Sequence, residues 1–379
     1  MSVFIHNIAT AVPPTVYRQD FVCNKMKEYV RGDRRLERLV ERIYARSSIE
    51  KRHSVVEDLF DGRHSRLFFL PNQNTLAPTT ATRNAIYTRH ARRLAMQVGA
   101  NLMAGNPAIG KRDITHVVTV SCTGFFAPGP EYVLVKELGL ARSTRRYHIG
   151  FMGCFGAFQA MQLARSFCQA EVDAAVMIVC LEICTLHLQQ DTKLDNLVSA
   201  SLFGDGAAGA IVSSRPPAPG TLTYRVEEFA SAIAEEGEKQ MAWTIGDLGF
   251  EMVLSQKVSD TIAANLPGVV TPLLQSLGVD QSEVSQWAIH PGGRAILDEV
   301  EKGLNLKCRQ VESSRYVLAN YGNLSSASIF FVLKHILDTT STGEGEAVLA
   351  MAFGPGLAIE CGLFSKVRRR GRDADLSRS

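Results

Sequence analysis

The chain has 379 residues and a mass of 41.5 kDa, with 46% hydrophobic side chains, 21% charged ones and a formal charge of +3. At roughly 150 residues per domain this length suits two or three domains or one large duplicated unit, and the composition excludes a disordered or fibrous chain. The longest clean apolar run, Ala174 to Leu181, has eight residues, far short of the ~20 that span a bilayer. No basic-then-apolar leader opens the sequence, since Met1–Pro14 is mixed and carries His6 and Asn7. Eight irregularly spaced cysteines suggest neither a disulfide framework nor a metal site. A reduced, cytoplasmic setting without stable membrane anchoring is the expectation.

In chain order, ten basic residues stand between Lys25 and Arg52 against five acidic ones, and a second basic cluster runs from Lys366 to Arg372. Solvated faces explain these better than nucleic acid, because the rest of the chain has no basic stripe with interleaved aromatics. A phosphorylated small ligand needs only two or three such charges. Thr115–Val120, Ala174–Cys180 and Ala207–Val212 are near-continuous apolar, β-branched runs, the pattern of strands buried on both faces. Helical patterns fill Glu131–Leu138 and Gly156–Ala170. The Pro/Ser-rich stretch after Ser213 reads as a linker, dividing the chain into residues 1–213 and 214–366, with 367–379 as a charged tail expected to be disordered. The second half repeats the alternation. Strand Gln286–Ile289 is followed by helices Arg294–Gly303 and Ser325–Asp338, then by strands Ala347–Phe353 and Ala358–Phe364 around Gly354-Pro355-Gly356. Such a pattern predicts an α/β fold with helices on both faces of the sheet, built from two duplicated halves.

Cys154 is the candidate nucleophile. It stands in Gly153-Cys154-Phe155-Gly156, directly before a helical run. Glycines permit a tight turn and close approach of a substrate, and a helix start favours thiolate over thiol. Of the nine histidines, His290 closes an apolar strand and precedes Pro291-Gly292-Gly293, so its ring leaves a rigid sheet at a loop. Asn323, in Tyr321-Gly322-Asn323-Leu324-Ser325, offers an amide that donates hydrogen bonds without titrating. Cys, His and Asn in this order suit two chemistries. One is a papain-type hydrolase, whose Cys-to-His spacing the 136 residues here would match, but whose CGSCW-like segment is missing. The other is carbon–carbon bond formation on acyl thioesters. Cys361, in an apolar β run, reads as core.

The segments GFMGCFGAF, AIHPGG, YGNLSSAS and AFGPGLAIE together resemble the type III polyketide synthases, the chalcone synthase-like members of the thiolase superfamily. The likeness extends over most of the chain. It implies a five-layered αβαβα fold and a homodimer that uses coenzyme A thioesters as substrates and no cofactor or metal. Cys154 would carry the starter acyl group, and His290 with Asn323 would stabilise the enolate left when malonyl-CoA loses CO2. By the same resemblance Phe203 and Phe250 match gatekeeping aromatics, Lys51 and Arg52 fall where coenzyme A phosphates bind, and Ala295 matches a tunnel-lining position. Cys122, Thr123, Ala127, His187 and Ser199 fall at cavity positions where the sequence departs from plant enzymes. With the Arg-rich amino-terminal helix, these departures point to a medium- or long-chain acyl-CoA starter and alkylpyrone or alkylresorcinol products. Two rival readings remain: a β-ketoacyl synthase of the initiating type using carrier-bound malonate, and a non-catalytic acyl-CoA-binding protein.

Overall fold

The computed structural model describes residues 1–57, 77–106, 108–189, 191–234, 237–255, 257–339 and 345–369. The first half opens with β1 (Val3–Ala11), β2 (Val16–Arg18), α1 (Gln19–Tyr29), α2 (Arg34–Ala45) and β3 (Lys51–His53). It continues with α3 (Thr80–Ala104), β4 (His116–Ser121), α4 (Pro130–Leu138), β5 (Arg145–Gly150), α5 (Gly156–Ala170), β6 (Ala175–Ile183), α6 (Leu194–Leu202) and β7 (Asp205–Ser213). The second half holds β8 (Leu222–Ile233), β9 (Met241–Gly246), β10 (Gly249–Leu254), α7 (Val258–Ser276), β11 (Val284–Ile289) and α8 (Arg294–Gly303). It closes with α9 (Glu312–Tyr321), α10 (Ser328–Thr339), β12 (Ala347–Gly354) and β13 (Ala358–Arg368).

Nine strands form one mixed sheet in the order β11-β12-β13-β8-β1-β7-β6-β4-β5. The two halves therefore join edge to edge, through antiparallel pairing of Val3–Ile5 with Tyr224–Val226. Alternation along the strands shows how the layers stack. In β6, Val176, Ile178 and Cys180 face a central core that includes Ala157, Phe158 and Met161 of α5 and Phe330 and Leu333 of α10. Ala175, Met177, Val179 and Leu181 of the same strand face a second core with Leu94, Val98 and Leu102 of α3. In β12, Ala350 and Ala352 join the central core, while Leu349, Met351 and Phe353 join a third core with Ile262 and Leu266 of α7 and Leu297 of α8. Helices, sheet, central helices, sheet and helices succeed one another, which is the expected αβαβα layering. α1 and α2 stand apart on a small core of their own with Leu197 of α6.

Two expectations need revision. The run from Ser325 is not α-helical at its start: Ser325 has φ +47°, residues 325–327 make a single 3-10 turn, and α10 begins at Ser328. The basic tail begins as strand, since β13 runs to Arg368 and the fully buried Lys366 pairs with Glu346 at 3.0 Å. Residues 370–379 lie outside the described residues.

β7 is threaded tightly between its neighbours. A Cβ on Gly209 would lie 2.2 Å from the Ile178 carbonyl oxygen and 3.0 Å from Val98 Cγ1. Gly209→Ala should therefore lower stability by about 1–3 kcal/mol, read as a shift of the urea midpoint; an unchanged midpoint would contradict this packing.

Candidate active site

Cys154 lies on the turn between β5 and α5. Phe151 at φ +61° and Gly153 at φ +80° bend the backbone sharply, a strain that persists where neighbours enforce it. The neighbour is the Gly354-Pro355-Gly356 loop after β12: a Cβ on Gly153 would sit 2.3 Å from Pro355 Cδ, and one on Gly354 would sit 2.4 Å from Phe155 Cδ1. Only glycines allow this contact between the halves.

A chain of contacts leads away from the sulfur. Cys154 Sγ is 3.6 Å from Ser325 Oγ. The Ser325 backbone N–H donates to Asn323 Oδ1 at 2.8 Å, and Asn323 Nδ2 donates to the Gly292 carbonyl at 3.3 Å. Gly292 in turn donates its N–H to the His290 carbonyl at 2.8 Å. The described residues thus bring Cys154, Asn323 and the His290 loop to one place, with Ser325 as an intermediary. His290 is 1% exposed, and neither ring nitrogen has a hydrogen-bond partner. Buried polar atoms are normally paired, and both nitrogens of this ring are exceptions. Burial pushes its pKa down to about 3. Burial also pushes the Cys154 thiol up to about 11, partly offset by contacts from Ser325 and Asn323. Desolvation outweighs the helix start here and favours the uncharged form of both groups.

A cavity of about 1170 Å³, counting its open mouth, reaches Cys154 and Ser325. Cys122, Thr123, His187, Ser199, Phe203 and Phe250 all line it. His187 holds the far wall together. Its Nε2 donates to the Thr123 carbonyl at 2.8 Å, its Nδ1 accepts from the Phe250 N–H at 3.0 Å, and its ring stacks on Phe250 at 4.1 Å. Burial lowers its pKa to about 4, so the neutral form that makes both bonds persists. Ser199 Oγ is 3.6 Å from Met252 Sδ.

The remaining candidates lie elsewhere. Arg52 borders the cavity but is buried: Nε donates to Gln19 Oε1 at 3.0 Å, and Nη1 donates to the carbonyls of Ala200 at 2.8 Å and Phe203 at 2.6 Å. It anchors the Phe203 turn, which corrects the expectation that it meets phosphate; the adjacent Lys51 is exposed. Ala295 sits exposed on the first turn of α8 and Ala127 is exposed before a cis proline, neither among the cavity-lining residues. Cys361 is fully buried in β13, in keeping with a core role.

Sequence reasoning missed Glu182, Trp243 and Ser325. Glu182 is fully buried in β6 and accepts from the Cys122 N–H, Thr123 Oγ1 and Ser326 Oγ. Its signal was available: a carboxylate inside an otherwise apolar strand. Trp243 Nε1 donates to the Cys122 carbonyl at 2.9 Å and its ring meets both His187 and Phe250 edge-on. Among the described residues, no group of three or more His, Cys, Asp or Glu side chains is placed to hold a metal ion. No helix of the described residues is long and apolar enough to cross a membrane.

Comparison with known proteins now has a site to explain. Residues 2–216 match the chalcone and stilbene synthase N-terminal domain, and residues 226–368 match the C-terminal domain. The chain belongs to the chalcone and stilbene synthase family. Within these type III polyketide synthases, it is 30% identical over 370 residues to the α-pyrone synthesis polyketide synthase-like Pks18 of Mycobacterium tuberculosis, covering 96% of this chain and 91% of that one. Three solved structures share the thiolase-like fold. They are PKS-I from the brown alga Ectocarpus siliculosus (TM-score 0.86, 27% identity, 97% and 98% coverage), the C-terminal type III domain of Steely1 from Dictyostelium (0.88, 26%, 97% and 100%), and 1,3,6,8-tetrahydroxynaphthalene synthase from Streptomyces coelicolor (0.85, 27%, 96% and 99%). This is a family of acyl-transferring, condensing enzymes.

Burial raises the Glu182 pKa to about 7, against hydrogen bonds from Ser326, Cys122 and Thr123 that lower it. The folded chain then holds this proton more tightly than the unfolded one, so the group's contribution to stability falls as pH rises from about 4.5 to about 7. Glu182→Gln should flatten that part of the stability–pH curve; an unchanged shape would place the proton elsewhere.

Proposed function

We propose that this type III polyketide synthase loads a medium- or long-chain acyl group from coenzyme A onto Cys154 and extends it with malonyl-CoA, releasing alkylpyrone or alkylresorcinol products. The observation that carries the reading is the buried, unpaired His290 ring beside the contact chain from Cys154 to Asn323; burial favours its neutral form. A neutral imidazole is the form that accepts a proton. In loading, Cys154 Sγ attacks the thioester carbonyl, His290 takes the thiol proton, and the departing coenzyme A thiolate regains it. Malonyl-CoA then loses CO2 to leave an enolate, whose oxygen receives hydrogen bonds from His290 and Asn323. Its carbon attacks the acyl carbon on Cys154, the S–C bond breaks, and a β-ketoacyl-CoA forms. Loss of CO2 drives the step, so no metal or organic cofactor enters.

Phe203 and Phe250 line the cavity with apolar rings, which favours exclusion of water from the enolate. Lys51 is proposed to meet a coenzyme A phosphate as a point charge. The starter class rests on the departures at Cys122, His187 and Ser199, and on the α-pyrone synthesis named for the Mycobacterium relative.

Three substitutions test the roles. Cys154→Ala should abolish the acyl-enzyme, while His290→Ala and Asn323→Ala should each slow malonyl-CoA decarboxylation about 10²- to 10³-fold, measured as CO2 release. Full decarboxylation without His290 would contradict its assignment. Starter choice is read by mass spectrometry of products from lauroyl-, acetyl- and coumaroyl-CoA with malonyl-CoA. Lauroyl-derived pyrone or resorcinol is expected, and its absence would sink the starter class.

A homodimer is proposed as well. β5 is an edge strand exposed from Arg145 to His148, and it stands beside exposed Phe125 and Met152, an edge of the kind proteins cover. Light scattering after size exclusion should give twice 41.5 kDa; a single-chain mass would contradict it.

A further inference from the structure

Two hydroxyl-bearing residues line the cavity that reaches Cys154 and take no part in the chemistry above. Ser54 follows directly on β3, and Thr185 stands in the turn after β6. Both lead to Asp205, the first residue of β7, which is fully buried. Antiparallel pairing of β6 with β7 sets Asp205 opposite Ile183, two residues before Thr185. Cys184, between those two, also borders the cavity. Burial pushes its thiol well above the usual range, and the charges of Glu182, Asp205 and Cys154 push it further, so Asp205 and Cys154 both lie within electrostatic range of it.

Hydrogen bonds link Ser54, Thr185 and Asp205 in one direction. Thr185 Oγ1 donates to Asp205 Oδ2 at 2.5 Å, which commits the one proton a hydroxyl has. The 2.8 Å contact between Ser54 Oγ and Thr185 Oγ1 is therefore donated by Ser54. Ser54 Oγ in turn accepts the Val56 N–H at 2.9 Å, and one lone pair of this cavity-lining hydroxyl is left over. Asp205 also accepts the Thr185 and Val55 backbone N–H groups, each at 2.8 Å. Those two bonds hold the exits of β3 and β6 together and need neither hydroxyl. Burial pushes the Asp205 pKa up to about 6, against these hydrogen bonds and the Arg52 charge, so a proton delivered there meets an acceptor matched to near-neutral pH.

We propose that Ser54, Thr185 and Asp205 form a proton relay that closes the pyrone ring, with Ser54 as the group that touches the polyketide chain. This rests on the reading of the enzyme as a maker of alkylpyrones. Ring closure requires the enol oxygen of the extended chain to attack its own thioester carbonyl, so that an O–C bond forms and the C–S bond breaks. The enol proton passes to Ser54 Oγ as the Ser54 proton passes to Thr185 and the Thr185 proton to Asp205. The departing thiolate then takes a proton as the relay runs in reverse. A lactone and a thiol are the products, and Asp205 ends as the carboxylate it began as. Thr185 and Asp205 act only through Ser54. General-base assistance of this kind raises a rate roughly 10²- to 10⁴-fold.

The test uses the full-length enzyme with malonyl-CoA and whichever of lauroyl-, acetyl- and coumaroyl-CoA gives most product. Pyrone appearance, read by ultraviolet absorbance at neutral pH, and CO2 release are followed together before the steady state. The ratio of the two rates is compared in Thr185→Val, Thr185→Ser and Ser54→Ala, which cancels differences in folded fraction. Thr185→Val keeps the side chain's shape and the two backbone bonds to Asp205 but cuts the relay, whereas Thr185→Ser preserves it. Thr185→Val and Ser54→Ala should each lower the ratio about tenfold or more, and Thr185→Ser should restore most of it. A smaller loss in either hydroxyl-free variant, or an equal loss in Thr185→Ser, would overturn the relay. No CO2 release or no pyrone from the unsubstituted enzyme would instead overturn the functional reading beneath it.

Discussion

The contact between Gly153 and Pro355 is the constraint on which the site depends. It presses the turn that carries Cys154 against the loop after β12, with a clearance that no Cβ would survive. Gly354 against Phe155 repeats the same condition from the opposite side. The two contacts tie the sheet halves together at the point where reactive groups from both must meet. Cys154 is delivered by β5 at one edge of the sheet and His290 by β11 at the other. Only a sheet folded around α5 and α10 brings those edges' loops to one centre. The strained φ of Phe151, Ser325 and Leu357 cluster in these same loops, where tertiary contacts hold conformations a free chain would avoid.

Burial sets the electrostatics of the centre. Burial pushes the Cys154 thiol up to about 11 and the His290 imidazole down to about 3, so it favours the uncharged form of both. A cavity lined by the Phe203 and Phe250 rings suits the proposed enolate chemistry, because water would quench the carbanion. The walls are organised for permanence. His187 ties Thr123 to Phe250, Trp243 ties the same wall to Cys122, and Arg52 ties the Phe203 turn to Gln19. The unpaired His290 ring and the Cys154 turn thus sit beside walls whose polar atoms bond to one another.

The buried strands and the helices that share their periodicity were legible in the sequence. Gly156–Ala170 and Arg294–Gly303 match helices α5 and α8 residue for residue, because an apolar stripe and a glycine-rich entry define each. Cys154 was legible from its flanking glycines, and His290 from the loop signal after its strand. The half-buried strands β8, β9 and β10 were not read, since their exposure pattern is irregular. α7 was hidden by Pro267 and Pro272 inside it. Arg52 misled because a basic residue near a phosphate-binding segment reads as a ligand, while its burial and carbonyl partners come from a strand–helix contact about 150 residues away in sequence. In the sequence Ser325 reads as the first residue of a helix, and only the left-handed backbone at that position reveals the turn that brings its hydroxyl to the sulfur.

A crystal structure of the enzyme acylated with a lauroyl group tests the central claim most directly. The account predicts continuous density from Cys154 Sγ, with the thioester carbonyl oxygen within hydrogen-bonding distance of both the His290 ring and the Asn323 amide. Density on another cysteine, or a carbonyl turned away from both donors, would contradict it.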